Sequence, residues 1–158
     1  ADDILSKDYI STYLNALRIA PSDTEYISTK VRYVNNKFIT LKILGKKWKW
    51  NQFKYNMTCA HVGSLHSKKL FKEVGYYNIN YKIIGDYELL CRKREKLKAF
   101  YVDKITAEMS ANGVSLSKKA LIERRFVHLS TVKMSLFKAN LIFLIGLIFL
   151  YKLKLDAK

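Results

Sequence analysis

The chain has 158 residues, which is enough for one hydrophobic core and short for two, so a single domain with an appendage is expected. Hydrophobic residues make up 49% of the chain and aromatic residues 13%, a composition that excludes an intrinsically disordered protein. The net charge of +16 indicates polyanionic partners, among which anionic lipid, phosphorylated substrates and nucleic acid all qualify.

The N-terminal segment combines an acidic pair with a predicted helix. The helix is expected to begin near Ser6 and to end before Pro21. Its predicted apolar face comprises Ile10, Tyr13, Leu14 and Leu17. On composition alone, Asp2 and Asp3 are an acidic N-terminus that precedes this helix.

A basic hairpin is predicted next. Tyr26 to Val34 and Phe38 to Leu44 alternate as two strands joined by a turn at 35–37. Residues 30–54 contain eight basic side chains and no acidic one, and Trp48 and Trp50 would share a face if extended. This combination could stack bases, stack sugar rings or lie at a membrane interface. The alternative is an ordinary hairpin with solvated lysines and tryptophans packed on the core.

Residues 61–92 contain the pattern that a reaction could use. Ser67 is predicted to cap a short helix that ends at Gly75, where a left-handed C-cap residue belongs. An aromatic loop follows, and Tyr87 to Lys98 is predicted to form a second helix. Asp86 therefore lies at a helix start after a flexible glycine, where an N-cap role and a catalytic role are compatible.

Several other kinds of site are not indicated. Cys59 and Cys91 are too few for a tetrahedral metal site and have no CxxC spacing, so they are expected to be reduced, partly buried thiols. Ser64, between His61 and His66, matches no nucleophile elbow. The sequence also contains no P-loop, no GxGxxG, no HExxH and no zinc-finger spacing.

The character of the chain changes after Gly113. Leu116 to Phe137 is predicted to be a basic helical stretch, and Ala139 to Tyr151 is uncharged and almost wholly apolar. As a helix this run spans only about 20 Å, short of the roughly 30 Å hydrocarbon core, so an interfacial or partner-bound helix is favoured over a transmembrane span. A buried C-terminal helix is the alternative, because the run is apolar on all sides.

The order of these segments resembles the acceptor-side half of the family 2 inverting glycosyltransferases, which use nucleotide sugars and have the GT-A fold. The likeness rests on HVGSLHSKKLFKEVGYYN at 61–78 and on GDYEL at 85–89, which fits the looser form of the family's acidic signature. It continues through FYVDKITAEMSANGVS at 100–115, where Asn112 replaces the first glycine of a Gly-Gly-x-Ser ending. It reaches back to ADD at 1–3 and so covers roughly the first 115 residues.

The resemblance implies a mixed α/β fold. A partial GT-A-like sheet with flanking helices is expected over residues 1–115, followed by a basic and apolar helical tail over residues 116–158. In the full family fold a nucleotide-binding half precedes the Asp-x-Asp metal motif, and no part of this chain corresponds to it. The chain is therefore expected to be the acceptor-side, C-terminal half of an enzyme.

The same resemblance implies roles for individual residues. Asp86 matches the family's catalytic base, and Asp2, with Asp3 beside it, matches the end of the metal motif. The implied cofactor is Mg²⁺ or Mn²⁺, which prefers hard oxygen ligands and bridges the donor's diphosphate. The predicted acceptor contacts are His61, Trp50 and Glu88. Glu88 is alternatively a simple first-turn helix acid.

Two functions are compatible with the sequence. One is inverting transfer of a sugar from a nucleotide sugar to a saccharide or lipid-linked saccharide in cell-surface polysaccharide synthesis, by a cytoplasmic protein peripheral on the inner membrane face. The other is a non-catalytic basic module that docks on anionic membrane or nucleic acid. The order of the motifs favours the enzyme, with an anionic membrane surface as partner and no nucleic acid, whereas the missing nucleotide-binding half favours the module.

Overall fold

The computed structural model describes residues 3–111 and 113–156, with side chains up to residue 153. The protein is α/β, with a mixed open sheet of five strands flanked by helices and a long C-terminal helix. At this level the predicted fold is confirmed. The chain divides into two compact units, formed by residues 3–76 with 95–111 and by residues 77–94 with 113–156. The sequence analysis predicted a domain boundary after residue 115, but it did not predict that residues 77–94 form one compact unit with the C-terminal helices.

The first unit contains the sheet. Its strands are β1 (Ile4–Leu5), β2 (Tyr26–Val34), β3 (Thr40–Leu44), β4 (Ser64–His66) and β5 (Ala99–Ser110). Its helices are α1 (Tyr9–Ile19), α2 (Trp50–Phe53) and α3 (Lys68–Val74). The predicted hairpin is confirmed, except that its second strand begins at Thr40.

Strand β2 is the centre of the sheet, whose order is β1-β5-β2-β3. β5 pairs with β2 in parallel, whereas β3 and β4 pair antiparallel with opposite halves of its other edge. β1 pairs antiparallel with β5. A parallel pair needs a long crossover between its strands, and here residues 35–98 connect β2 to β5.

Thr29 of β2 is fully buried in the core of this unit. Its hydroxyl bonds to the Thr106 hydroxyl at 2.6 Å and donates to the Gly63 carbonyl oxygen at 3.2 Å. A Cβ on Gly63 would lie 2.5 Å from Thr29 Oγ1 and 2.8 Å from Val31 Cγ2. Only glycine therefore lets the 61–64 turn pack this closely on the strand.

Helix α1 buries a different face from the predicted one. Tyr13 and Ala16 are buried against Ile27 of β2. The remaining residues of the predicted face, Ile10, Leu14 and Leu17, are exposed. The apolar spacing correctly predicted a helix, but it was wrong about which stripe packs on the sheet.

The second unit is helical and comprises α4 (Gly85–Lys93), α5 (Lys118–Ser130) and α6 (Leu136–Asp156). The chain leaves this unit after Arg94, within a 3₁₀ turn (Arg94–Lys96). Helix α4 ends earlier than predicted because Arg94 adopts a left-handed backbone with φ 51°. The basic stretch predicted as one helix is broken between α5 and α6.

Helix α6 is longer than the uncharged run that predicted it. Leu136–Leu153 is long and apolar enough to cross a membrane, judged by length and composition only, and 6% of that window is buried. Its first half packs on α5. Arg125 Nε donates to Asn140 Oδ1 at 2.7 Å, and the Leu121 side chain lies against Gly146.

Candidate functional site

Asp86 lies in the first turn of α4, directly after Gly85. The N-cap position belongs to Ile84, so the N-cap role predicted for Asp86 is wrong. Asp86 Oδ1 accepts a hydrogen bond from the Tyr87 backbone N–H at 2.7 Å, and the side chain is partly exposed. The positive end of the helix dipole favours a negative charge at this position.

Glu123 of α5 holds the loop that precedes Asp86. Its carboxylate accepts hydrogen bonds from three successive backbone N–H groups, those of Lys82 at 3.0 Å, Ile83 at 3.0 Å and Ile84 at 3.2 Å. Hydrogen bonds to an ionised acceptor are roughly twice as strong as neutral ones. The contact fixes where α4 begins, and sequence reasoning missed it because its partners lie about 40 residues apart in the chain.

Tyr77 lies beside Asp86 and is a second residue that sequence reasoning missed. Its ring would be 3.8 Å from a Cβ on Gly85. Burial, and secondarily the charge of Asp86, raise the pKa of the Tyr77 phenol. The side chain is still 42% exposed, so its ring offers a flat surface on which a sugar can stack. The only sequence signal was the aromatic character of the loop.

Glu88 is buried and makes its bonds within the second unit. The Arg92 guanidinium forms a bidentate ion pair with it, and the Thr131 hydroxyl donates to its Oε1 at 3.0 Å. A buried carboxylate requires such partners. A structural role therefore accounts for Glu88, and its predicted contact with an acceptor stays a prediction.

His61 belongs to a row of aromatic rings in the first unit. The exposed His61 ring is 5.8 Å from His66, which is 5.8 Å from Phe71, and Phe71 stacks on Tyr76 at 5.7 Å. Burial and then the charge of His61 lower the pKa of His66 to about 4, so its ring is neutral at physiological pH. Tyr76 is 80% exposed, so the row ends in an open aromatic face.

Trp50 begins α2, so the two tryptophans do not lie on one extended strand. The two rings are nevertheless stacked, with centroids 6.4 Å apart. Trp48 packs on buried Phe53 at 4.3 Å, as expected for a core residue. Trp50 remains partly exposed, and its role in acceptor binding stays a prediction.

The predicted metal site falls partly outside the described residues, because Asp2 is not among them. Asp3 is exposed. In the part of the chain that the structure describes, no group of three His, Cys, Asp or Glu side chains could share a metal ion. One exposed carboxylate is fewer than the ligands that Mg²⁺ or Mn²⁺ requires, so the described residues do not form the site by themselves.

Both cysteines are buried, more completely than predicted. Burial raises the pKa of Cys59 to about 11 and that of Cys91 to about 12, so both thiols are protonated and unreactive at neutral pH.

The predicted site residues divide between the two units. Asp3, Trp50 and His61 belong to the first, and Asp86 and Glu88 to the second. No protein-family model matches the sequence, and no curated protein is significantly similar to it.

Proposed function

We propose that the chain is the acceptor-side part of an inverting, GT-A-type glycosyltransferase. It would transfer a sugar from a nucleotide sugar to a saccharide or lipid-linked saccharide in cell-surface polysaccharide synthesis. The observation that carries the proposal is the partly exposed Asp86 carboxylate in the first turn of α4. Glu123 fixes the preceding loop, and Tyr77 supplies an adjacent aromatic surface.

In the proposed reaction Asp86 is the general base. It takes the proton of an acceptor hydroxyl, whose oxygen attacks the anomeric carbon as the bond to the nucleoside diphosphate breaks. Attack from the face opposite the leaving group inverts the configuration. Asp86 must then lie within about 3 Å of the acceptor hydroxyl, or one water molecule away.

A divalent cation is part of the proposal through the resemblance alone. Asp2 and Asp3, together with oxygens of the donor diphosphate, would hold Mg²⁺ or Mn²⁺, which offsets charge on the leaving group. In the resembled fold the usual base and ribose contacts come from the half that precedes the Asp-x-Asp motif. The 158 residues are therefore expected to give little heat in titration calorimetry with nucleotide sugars. A low-micromolar dissociation constant, about −8 kcal/mol, would contradict this placement of the donor site.

The proposal includes a cytoplasmic location on the inner membrane face. Helix α6 exposes an apolar surface formed by Leu141, Leu144, Ile145, Ile148 and Phe149. Its first half contacts α5, so an upright α6 would carry Arg124 and Arg125 into the hydrocarbon core at about 3 kcal/mol each. The paired helices therefore favour docking parallel to the surface, next to lipid-linked acceptors.

A transfer assay tests the proposal. The polypeptide encoded by the gene, extended upstream as far as its reading frame continues, is incubated with radiolabelled nucleotide sugars, Mn²⁺ and lipid-linked acceptors. Protein-dependent transfer that Asp86→Asn abolishes is the expected result. Asp23→Asn is the matched control, because Asp23 is exposed and only pairs with Lys98 at 3.7 Å. Equal transfer by the wild type and Asp86→Asn would overturn the proposal.

The second candidate function is a non-catalytic module that docks on anionic membrane. The net charge of +16 and the exposed apolar face of α6 favour it. In that case Asp86→Asn would leave every activity of the protein unchanged, whereas substitutions on α6 would remove it from the membrane.

A further inference from the structure

A ridge of exposed apolar side chains lies on the β2–β3 hairpin of the first unit. It comprises Phe38, Ile39, Leu41 and Ile43, which are 64%, 57%, 54% and 45% exposed. Single exposed apolar residues are ordinary, but four within six positions form a contiguous patch of the kind that marks an interaction surface.

Hydrogen bonds to Asn35 close the turn that presents this ridge. Asn35 Oδ1 accepts hydrogen bonds from the backbone N–H groups of Lys37 at 3.0 Å and Ile39 at 2.9 Å. The Phe38 N–H donates to the Asn35 carbonyl oxygen at 2.9 Å. Phe38 has φ 56°, a left-handed conformation that costs a bulky residue roughly 1–2 kcal/mol and that asparagine or glycine would adopt more easily. A bulky residue kept at such a position while its ring is exposed motivates a binding role for that ring.

A β-bulge continues the ridge along β3. Tyr33 pairs with Lys42 and Val34 with Thr40, so Leu41 is an extra residue in the ladder. Lys42 lies on this edge strand, and lysines on edge strands oppose pairing with another strand. The hairpin therefore suits a lipid surface better than a second copy of the chain.

The surroundings of the ridge are basic. Residues 30–54 carry no acidic side chain, and their basic residues are Lys30, Arg32, Lys37, Lys42, Lys46, Lys47, Lys49 and Lys54. Ile43 also lines a groove of about 710 Å³ whose four lysines are Lys30, Lys46, Lys47 and Lys104.

Close packing at Gly45 fixes one wall of the groove, and two of its lysines have no carboxylate partner among the described residues. Gly45 lies so close to β2 that a Cβ would fall 2.2 Å from the Thr29 carbonyl oxygen, and the Tyr101 hydroxyl donates to the Gly45 carbonyl oxygen at 3.4 Å. Lys30 and Lys104 are paired with Asp103 and Asp8. Within the described part of the chain, Lys46 and Lys47 have no such carboxylate. They are therefore available to a phosphate group.

We propose that the ridge and the groove together form a docking surface for anionic phospholipid. Phe38, Ile39 and Leu41 enter the acyl boundary, and Lys46 and Lys47 contact head-group phosphates. The inference rests on the membrane association proposed above and adds a lipid contact in the first unit that does not depend on α6. Each lysine at an anionic surface is expected to contribute about fivefold to affinity.

A fluorescent probe tests the contact directly. Ile39→Cys is labelled with an environment-sensitive dye, and the buried Cys59 and Cys91 do not compete for it. Vesicles of phosphatidylcholine containing phosphatidylserine should shift the emission to the blue, and brominated lipid should quench it. The same dye at Ser11→Cys, an exposed position on α1, is the control and should not respond. If the protein sediments with vesicles but the emission of the dye at position 39 neither shifts nor is quenched, the proposal is overturned.

Two variants separate the apolar part from the charged part. Phe38→Asn suits the left-handed backbone, so it should keep the thermal midpoint while lowering vesicle affinity about tenfold. Its control, Leu14→Asn on α1, should leave affinity unchanged. Lys46→Gln with Lys47→Gln should lower affinity about 25-fold for phosphatidylserine vesicles and leave neutral vesicles unaffected.

Three outcomes would contradict the proposal. One is equal loss of affinity in Phe38→Asn and Leu14→Asn, and another is equal binding of wild-type protein to neutral and anionic vesicles. The third is a lipid-free shift of the Ile39 probe that grows with protein concentration, which would assign the ridge to a second copy of the chain. None of these measurements requires sugar transfer, so failure of the docking surface is distinguishable from failure of the proposed function.

Discussion

The carboxylate of Glu123 accepts a hydrogen bond from the Ile84 backbone N–H at 3.2 Å, and Ile84 is the residue on which the helix carrying Asp86 begins. The two preceding amides bind the same carboxylate. One side chain of α5 thus sets the position of α4. The position of the proposed base, Asp86, therefore depends on Glu123, which takes no part in the proposed proton transfer.

Glu123→Gln is expected to weaken this contact. The amide keeps the shape of the side chain but loses the charge and one acceptor oxygen, so the free energy of unfolding should fall by about 1–3 kcal/mol. Urea unfolding followed by circular dichroism measures the change. Glu95→Gln is the matched control, since Glu95 is exposed, and it should stay within about 0.5 kcal/mol of the wild type. Equal stability of both variants would show that Glu123 does not fix the loop.

The same glycine substitution should have different effects at two positions. Gly63→Ala places a methyl group 2.5 Å from Thr29 Oγ1, so we expect a loss of about 1–3 kcal/mol of unfolding free energy. Gly85→Ala meets only Tyr77 at 3.8 Å and should be neutral or stabilising by up to about 1 kcal/mol in the first turn of α4. Thermal unfolding compares the two variants. A Gly63→Ala protein as stable as the wild type would contradict the close packing of the 61–64 turn on β2.

The low pKa of His66 makes stability depend on pH. The folded protein keeps this ring neutral down to about pH 4, whereas an ordinary histidine, with a pKa of 6.5, protonates in the unfolded chain. The unfolded state therefore binds the proton first, and the stabilisation is complete above pH 6.5 and declines as the pH falls toward 4.

His66→Phe tests this dependence. Phenylalanine keeps the ring contacts with Tyr26 and Phe71 and removes the titration. Between about pH 7.5 and 5, the wild type should lose about 1–2 kcal/mol more unfolding free energy than the variant, after allowance for the partial exposure of the ring. Parallel pH profiles of the two proteins would mean that the pKa of His66 is the same in the folded and unfolded states.

Substitutions on the exposed face of α6 should separate membrane binding from folding. Leu144→Gln with Ile148→Gln removes apolar surface that is more than half exposed, so the helix should remain packed on α5 while sedimentation with anionic liposomes falls at least tenfold. Leu14→Gln with Leu17→Gln changes two equally exposed leucines on α1 and should leave liposome binding intact. Aggregation of the α6 variant without lipid would instead place this face in a subunit interface.

Signals that act over a few residues were readable from the sequence. Alternation around Asn35 predicted the hairpin, and the structure adds that the Asn35 side chain closes the turn. Ser67 was predicted to cap α3, and its Oγ accepts the Leu70 N–H at 3.1 Å. Gly75 follows with φ 80°, as expected of a C-cap glycine.

Features that depend on distant residues were not readable. Helical spacing identifies an apolar stripe on α1 but not whether anything covers it, and here the exposed stripe is the one containing Leu14. The Glu123 contact and the hydrogen bond from Thr131 to buried Glu88 join residues about 40 positions apart. No local pattern of charge or hydrophobicity specifies such pairs, so only the folded structure distinguishes the partly exposed Asp86 from the structural Glu88.

The most direct test of the central claim is the rate of sugar transfer by Asp86→Asn in the full polypeptide that the gene encodes. Asparagine keeps the size of the side chain and its ability to accept a hydrogen bond from the Tyr87 N–H, but it is not a base. Transfer should fall by at least about a thousandfold, with donor affinity and the thermal midpoint nearly unchanged. Transfer at the wild-type rate would show that Asp86 is not the base and would contradict the proposed mechanism.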